Sequence, residues 1–286
     1  KLNIVISDNI IYVSDNLGFI YAYDYRQKII LWAKNIRIPF RSNLKIIDNK
    51  LIAADQNNKI YILDKKSGNN IKSIPTEETK IKNNFKNNFS YNKKSIFMLN
   101  TYGSLYSIDN NTNNVRWVVN LNQSLDINPN NLFYSHPLIL HKDKLLISTD
   151  LYLYILDQKN GSTNHKIAIT SLFNPIVSGD SLFLVTKDNL LVCISLSTGK
   201  ILYSIDIDQN IANFLDTKKK SVNIKSLAII NNDLFFFLNN AYVVKFSAYG
   251  KIKDIVKLSF KLNSLPIFIE DSIIYINNKN KLIITN

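Results

Sequence analysis

Residues 18–32 read Gly18-Phe-Ile-Tyr-Ala-Tyr-Asp24-Tyr-Arg-Gln-Lys28-Ile-Ile-Leu-Trp32, and residues 103–117 repeat the pattern as Gly103-Ser-Leu-Tyr-Ser-Ile-Asp109-Asn-Asn-Thr-Asn113-Asn-Val-Arg-Trp117. Each copy is a short apolar strand closed by an acid, a tight turn, and a second strand that carries an aromatic residue. Outward from these two stretches, the Asp24 position recurs at Asp64, Asp109, Asp157, Ser195, Phe246 and Asn286, at intervals of 40, 45, 48, 38, 51 and 40 residues. A period of about 40–45 residues holding four strand-like pieces is the mark of a β-propeller. The expected fold is therefore all-β, a propeller of four-stranded antiparallel blades with seven repeats visible.

The turn has its own chemistry. Four residues after each landmark stand Lys28, Gly68, Asn113, Gly161, Gly199 and Gly250. Glycine and asparagine tolerate the left-handed backbone that such a turn needs. The landmark Asp can accept hydrogen bonds from N–H groups in the same turn. Eight residues after it stand Trp32, Lys72, Trp117, His165, Tyr203 and Asp254, which predicts a ring-packing position at one register.

In the first copy the strands read as Asn3–Ser7, Ile10–Ser14, Phe19–Asp24 and Ile29–Asn35. The last offers Leu265–Glu270, Ser272–Asn277 and Lys281–Asn286 and lacks the fourth, aromatic-bearing strand. No segment shows a 3.6-residue apolar period, so helix is expected to be minor. Long connections run over Pro75–Asn92, Asn122–Ser135 and Asp208–Asn223, and long loops on a rigid scaffold are where binding residues concentrate. At 286 residues the chain reads as one propeller domain over 1–286. Its start at Lys1 rather than Met is read as loss of upstream sequence holding a signal segment and the first blade or closing strand.

Composition narrows the function classes. The formal charge is +13, yet only Arg26, Arg37, Arg41 and Arg116 are arginines, and the lysines are scattered over turns. Nucleic-acid readers favour arginine on a concentrated face, so no nucleic-acid partner is expected. A single cysteine, Cys193, lies in an apolar run and reads as core. His136, His141 and His165 lack metal-ligand spacing, and no phosphate loop or nucleophile elbow is present. No catalytic residue, metal or cofactor is expected.

The small-aromatic-Asp, turn-Gly and Trp pattern resembles the quinoprotein-like (PQQ-type) propeller repeat. Leu172-Phe-Asn-Pro-Ile-Val-Ser-Gly-Asp-Ser-Leu-Phe-Leu-Val-Thr-Lys-Asp-Asn-Leu-Leu-Val-Cys-Ile194 and Leu265-Pro-Ile-Phe-Ile-Glu-Asp-Ser-Ile-Ile-Tyr-Ile276 resemble the BamB family of outer-membrane protein assembly factors. That resemblance implies a ring of eight blades, of which seven stand here. It also implies a lipoprotein on the periplasmic face of the bacterial outer membrane, with an N-terminal lipid anchor not in this chain. The implied partner is the β-barrel insertase subunit, through its POTRA domains, with unfolded outer-membrane protein clients beside it. Docking would use the loops Pro75–Asn92 and Asn122–Ser135. Ile81 and Lys82 take the places of the family's apolar and basic contacts, Leu132 and Tyr134 replace its paired acids, and Asp126 can substitute nearby.

Two other readings stand beside this scaffold. A quinone-dependent dehydrogenase would need a vicinal Cys pair, which one cysteine cannot supply, and Glu77, Glu78 and Glu270 are the only glutamates. A generic protein- or ligand-binding propeller differs from the assembly-factor reading only in its partner.

Overall fold

The computed structural model describes residues 2–78, 85–122, 132–270 and 272–285. Short alternating or wholly apolar segments of three to seven residues, separated by Asn, Asp, Lys and Gly, can bury their apolar residues only as antiparallel strands. Seven antiparallel blades result, in two compact units, Lys1–Ala168 and Ile169–Asn286. The first unit opens with β1 (Asn3–Ser7), β2 (Ile10–Ser14), β3 (Phe19–Asp24) and β4 (Ile29–Asn35). The second blade is β5 (Lys45–Ile47), β6 (Lys50–Ala54), β7 (Ile60–Asp64) and β8 (Asn70–Ile74). The third is β9 (Asn88–Tyr91), β10 (Ser95–Leu99), β11 (Ser104–Asp109) and β12 (Val115–Asn120), and the fourth is β13 (Ile139–His141), β14 (Lys144–Ser148), β15 (Leu153–Asp157) and β16 (Thr163–Ile167).

The second unit opens with β17 (Ile176–Ser178), β18 (Ser181–Val185), β19 (Leu190–Ser195) and β20 (Ile201–Asp206), followed by α1 (Ile207–Phe214). The sixth blade is β21 (Ile224–Ile230), β22 (Asp233–Leu238), β23 (Tyr242–Ser247) and β24 (Ile252–Lys257). Among the described residues the seventh has three strands, β25 (Ile267–Ile269), β26 (Ser272–Ile276) and β27 (Leu282–Thr285), as its sequence implies. The β-propeller class follows from these blades, and no helix among the described residues is long and apolar enough to cross a membrane.

Within each unit the cores lie between successive blades. Tyr12, Ile20 and Trp32 pack on Leu51, Tyr61 and Leu63, and Ile52, Ile62 and Ile74 pack on Phe89, Ile96 and Tyr106. In the second unit Cys193 is buried among Phe183, Phe236 and Phe246, and burial pushes its thiol upward.

The expected turn chemistry is present. Asp24, Asp64, Asp109 and Asp157 each accept from the backbone N–H groups two and three residues on, at 2.7 to 3.3 Å. In the sixth blade the landmark is Ser247 rather than Phe246. Ser247 pairs with Asp233 as Asp64 pairs with Lys50, and its turn is one residue shorter. Phe246 is instead fully buried core. Asn286 lies outside the described residues.

The aromatic register packs on glycine as well as on rings. Trp32 meets Tyr12 at 6.1 Å and Trp117 meets Phe97 at 5.9 Å, inside their own blades. The same indoles also cover the turn glycine of the following blade, where a Cβ on Gly68 would lie 2.6 Å from Trp32 and one on Gly161 2.7 Å from Trp117. Trp32 Nε1 donates to Lys65 O at 3.1 Å, and Tyr203 Oη to Ala248 O at 2.5 Å. Asn113 stands where no such ring arrives, because the preceding blade carries Lys72, whose Nζ donates to Asn114 Oδ1 at 2.6 Å. Lysine staples recur between blades: Lys34 reaches Asn69, Lys50 reaches Asn110 and Asn113, and Lys225 reaches Leu262.

The sequence reading missed two features. A second turn landmark precedes the first by eight or nine residues, where Asp15, Asp55, Asn100, Thr149 and Asn277 accept from backbone N–H groups two to four residues on. The long connection expected from Asp208 begins inside α1. Asp206 caps that helix by accepting from Gln209 N, and Ile207, Ile211 and Ala212 are buried. Two turns are too short for a periodic signal in sequence.

Candidate functional site

Both long loops of the first unit are anchored on one turn, Asn100–Ser104, between β10 and β11. Asn100 closes it by accepting from Tyr102 N and Ser104 N. Gly103 has φ +84, and a Cβ there would lie 2.9 Å from the Phe133 ring. Leu121 N donates to Gly103 O and Phe133 N to Thr101 O, both at 2.8 Å. The entry and exit of the Asn122–Ser135 loop are thereby fixed to the turn.

The Pro75–Asn92 loop is held from the other side. Glu77 accepts from Asn100 Nδ2 at 2.7 Å, Ser104 Oγ at 2.6 Å and Tyr106 Oη at 2.7 Å. Burial alone would raise the Glu77 carboxyl, but these donors outweigh it and hold it below the usual glutamate range. Asn58 Nδ2 donates to Glu77 O and Thr76 Oγ1 to Asn58 O. At the far end, the fully buried Asn87 donates through N to Arg41 O and through Nδ2 to Asp55 O. Asn88 Nδ2 reaches Ser135 Oγ at 2.9 Å, which ties the ends of the two loops together.

Of the five candidate contact residues, Ile81, Lys82 and Asp126 lie outside the described residues. Leu132 and Tyr134 fall inside. Tyr134 is 44 % exposed, with Phe85 edge-on at 6.2 Å and His136 edge-on at 5.7 Å. It forms the wall between two clefts. One, about 450 Å³, is lined by Leu132, Phe133, Leu151, Tyr152 and Lys166; the other, about 520 Å³, by Phe85, Lys86, Asn88 and Pro137. Lys166 Nζ sits 4.0 Å from the Tyr152 ring centre, and Leu151 is 68 % exposed. Phe85, Leu151 and Tyr152 were not singled out from sequence; Leu151 and Tyr152 sit in the unrecognised second turn, and that landmark would have pointed to them.

An exposed aromatic ridge with aliphatic neighbours and a lysine rim is suited to a protein surface: apolar anchors desolvate while the charged rim stays wet. Among the described residues no group of three or more His, Cys, Asp or Glu could hold a metal ion.

No curated protein matches this sequence. Among solved structures, BamB from Moraxella catarrhalis superposes with a TM-score of 0.75 at 14% identity, covering 99% of this chain and 83% of that one. The computationally designed Ika8 protein aligns with a TM-score of 0.49 at 11% identity, over 99% of this chain and 94% of that one. The family model described as outer membrane protein assembly factor BamB matches residues 2–167, more than half of the chain, and the chain therefore belongs to the BamB family.

Proposed function

We propose that this protein is a non-catalytic scaffold of the outer-membrane β-barrel assembly machinery, at the periplasmic face of the outer membrane, that docks on the POTRA domains of the insertase subunit. Membership of the BamB family supports the machinery and the location. The observation that carries the docking site is the tie between the ends of the two long loops, Asn88 Nδ2 to Ser135 Oγ, beside which Phe85 of one stands edge-on to Tyr134 of the other. Ile81, Lys82 and Asp126 belong to the same two loops and are assigned to the contact with Leu132 and Tyr134. A surface of this kind concentrates its affinity in a few desolvated aromatic and aliphatic anchors.

The test is calorimetric titration of the protein with the insertase's POTRA domains at two salt concentrations. Saturable binding that Tyr134→Ala and Ile81→Ala/Lys82→Ala each weaken supports the partner and the loops. Absence of binding at either salt concentration refutes the partner, and binding indifferent to both variants refutes the site.

A further inference from the structure

In an antiparallel blade the turn between the second and third strands shares one end with the connections to the neighbouring blades. In the second unit that end consists of the turns 186–190, 239–241 and 277–281 and the connections 207–223 and 258–266. The longer connection is fastened at its base. Buried Asp208 accepts from Asn189 Nδ2 at 3.1 Å and from Val222 N at 3.0 Å, and Asp206, the helix cap, pairs with Lys219 Nζ at 2.5 Å. Beyond this base residues 213–221 are all exposed. The apolar side of α1 packs inward through Ile207, Ile211 and Ala212, yet Phe214 and Leu215 at its far end are 48 and 51 % exposed. Leu215 N donates to Ile211 O and Thr217 N to Ala212 O, which holds the two side chains at the tip. The other connection presents Phe260, 44 % exposed between the buried Leu258 and Leu262, with its carbonyl accepting from Tyr275 Oη at 3.2 Å.

The charge around these tips has one dominant sign. Lys187, Lys218, Lys220, Lys261, Lys279 and Lys281 are exposed in the same turns and connections, and none has an ion-pair partner among the described residues. The acids exposed beside them are Asp188 and Asp216. Asp206 is neutralised by Lys219, and Asp208 is buried at the base, so neither offsets the lysines at the tips.

We propose that this end of the second unit rests on an anionic phospholipid surface, with Phe214, Leu215 and Phe260 entering the headgroup boundary and the lysines lying over the phosphates. Aromatic and leucine side chains at the tips of tied connections bury apolar area at such an interface, and a lysine fringe adds attraction to anionic lipid. Lysine suits this diffuse charge as a compact, hydrated ammonium on a flexible stem, where arginine would favour a fixed bidentate partner. The inference rests on the membrane location proposed above and not on the docking loops. Vesicle binding and POTRA binding are read in separate titrations, so the failure of one is distinguishable from the failure of the other.

The test is binding of the full chain to vesicles of phosphatidylcholine with phosphatidylglycerol, against phosphatidylcholine alone. The mixed vesicles are expected to bind at least about tenfold tighter, by a margin that shrinks in high salt. Lys218→Gln/Lys220→Gln is expected to weaken that binding about tenfold. Lys200→Gln/Lys251→Gln removes the same charge from exposed turns at the opposite end of the fifth and sixth blades, and is expected to change it less than about twofold. Phe214→Trp exchanges one exposed ring for another. On vesicles its emission is expected to be quenched by phospholipid brominated on the acyl chain, beyond the background that Trp32 and Trp117 give in the parent. Equal weakening by the two lysine pairs overturns the proposal, as does equal binding to neutral vesicles or no binding up to about 1 mM lipid. Polyglutamate binding as tightly as the mixed vesicles, with the new indole unquenched, would overturn it in favour of an acidic protein partner.

Discussion

Replacing Gly68 by alanine tests whether the turn glycine is there for its backbone angle or for the ring that lands on it. Gly68 has φ +68, and alanine in that region costs about 1 kcal/mol. The added Cβ would also stand 2.6 Å from Trp32 Cε3, whereas ordinary contact begins near 3.4 Å, so the indole must retreat by about 0.8 Å. Overpacking of this kind costs about 1–3 kcal/mol. A retreating indole also strains the 3.1 Å bond from Trp32 Nε1 to Lys65 O, worth about 1 kcal/mol. The expected loss is about 2–4 kcal/mol, of which only about 1 survives when Trp32 is first replaced by leucine. Urea unfolding of the four members of this double-mutant cycle measures the coupling. Both tryptophans, Trp32 and Trp117, lie in the first unit, so fluorescence reports that unit, and Trp117 serves where Trp32 is absent. Gly179, with φ +61 and nothing within 4 Å of its Cβ position, is the natural control, followed by circular dichroism; its alanine variant should lose only about 1 kcal/mol. If Gly68→Ala costs the same with and without Trp32, the close-approach argument is refuted.

Glu77→Gln should leave the first unit with a flatter acid profile. Glu77 is held below the usual range when folded, so its stabilisation is complete above the ordinary glutamate value of about 4.3 and is lost as pH falls through the lower folded value; urea midpoints between pH 7 and 3 check this. Asp55 is the opposite case. Burial raises it despite hydrogen bonds from Tyr61, Lys59 N and Asn57 N, so its ionisation when folded opposes stability at neutral pH and its protonation restores it as pH falls through the raised value. Asp55→Asn, which places there the residue the third blade has at Asn100, should be at least as stable as the parent at pH 7, with the gap closing toward pH 4; a clear loss at pH 7 would refute this. Tyr134→Ala should shift the unfolding midpoint by less than about 0.5 kcal/mol while weakening POTRA binding at least tenfold, about 1.4 kcal/mol, as read by calorimetry.

What the sequence determined by itself was the blade. Strand alternation, the Asp landmark and the turn residue are local features, set within a dozen residues, and the four strands of the first copy fall where their sequence places them. Even the departures are local. Ser247 takes the landmark from Phe246 because one turn is a residue shorter, and α1 escapes notice because two turns carry too little period. The tertiary structure alone decided which copies need glycine. A positive φ is tolerated by Lys28 and Asn113, while Gly68 and Gly161 are demanded by a tryptophan supplied from the blade before, some 36 to 44 residues away in sequence. The candidate site has the same origin. Glu77 reads as a loop acid until Asn100, Ser104 and Tyr106 converge on it, and Phe85 meets Tyr134 across 49 positions where Asn88 ties the end of one loop to Ser135 of the other. Periodicity records the forces acting along a strand, but contacts between blades depend on which side chain the neighbouring copy presents, and no local pattern carries that information.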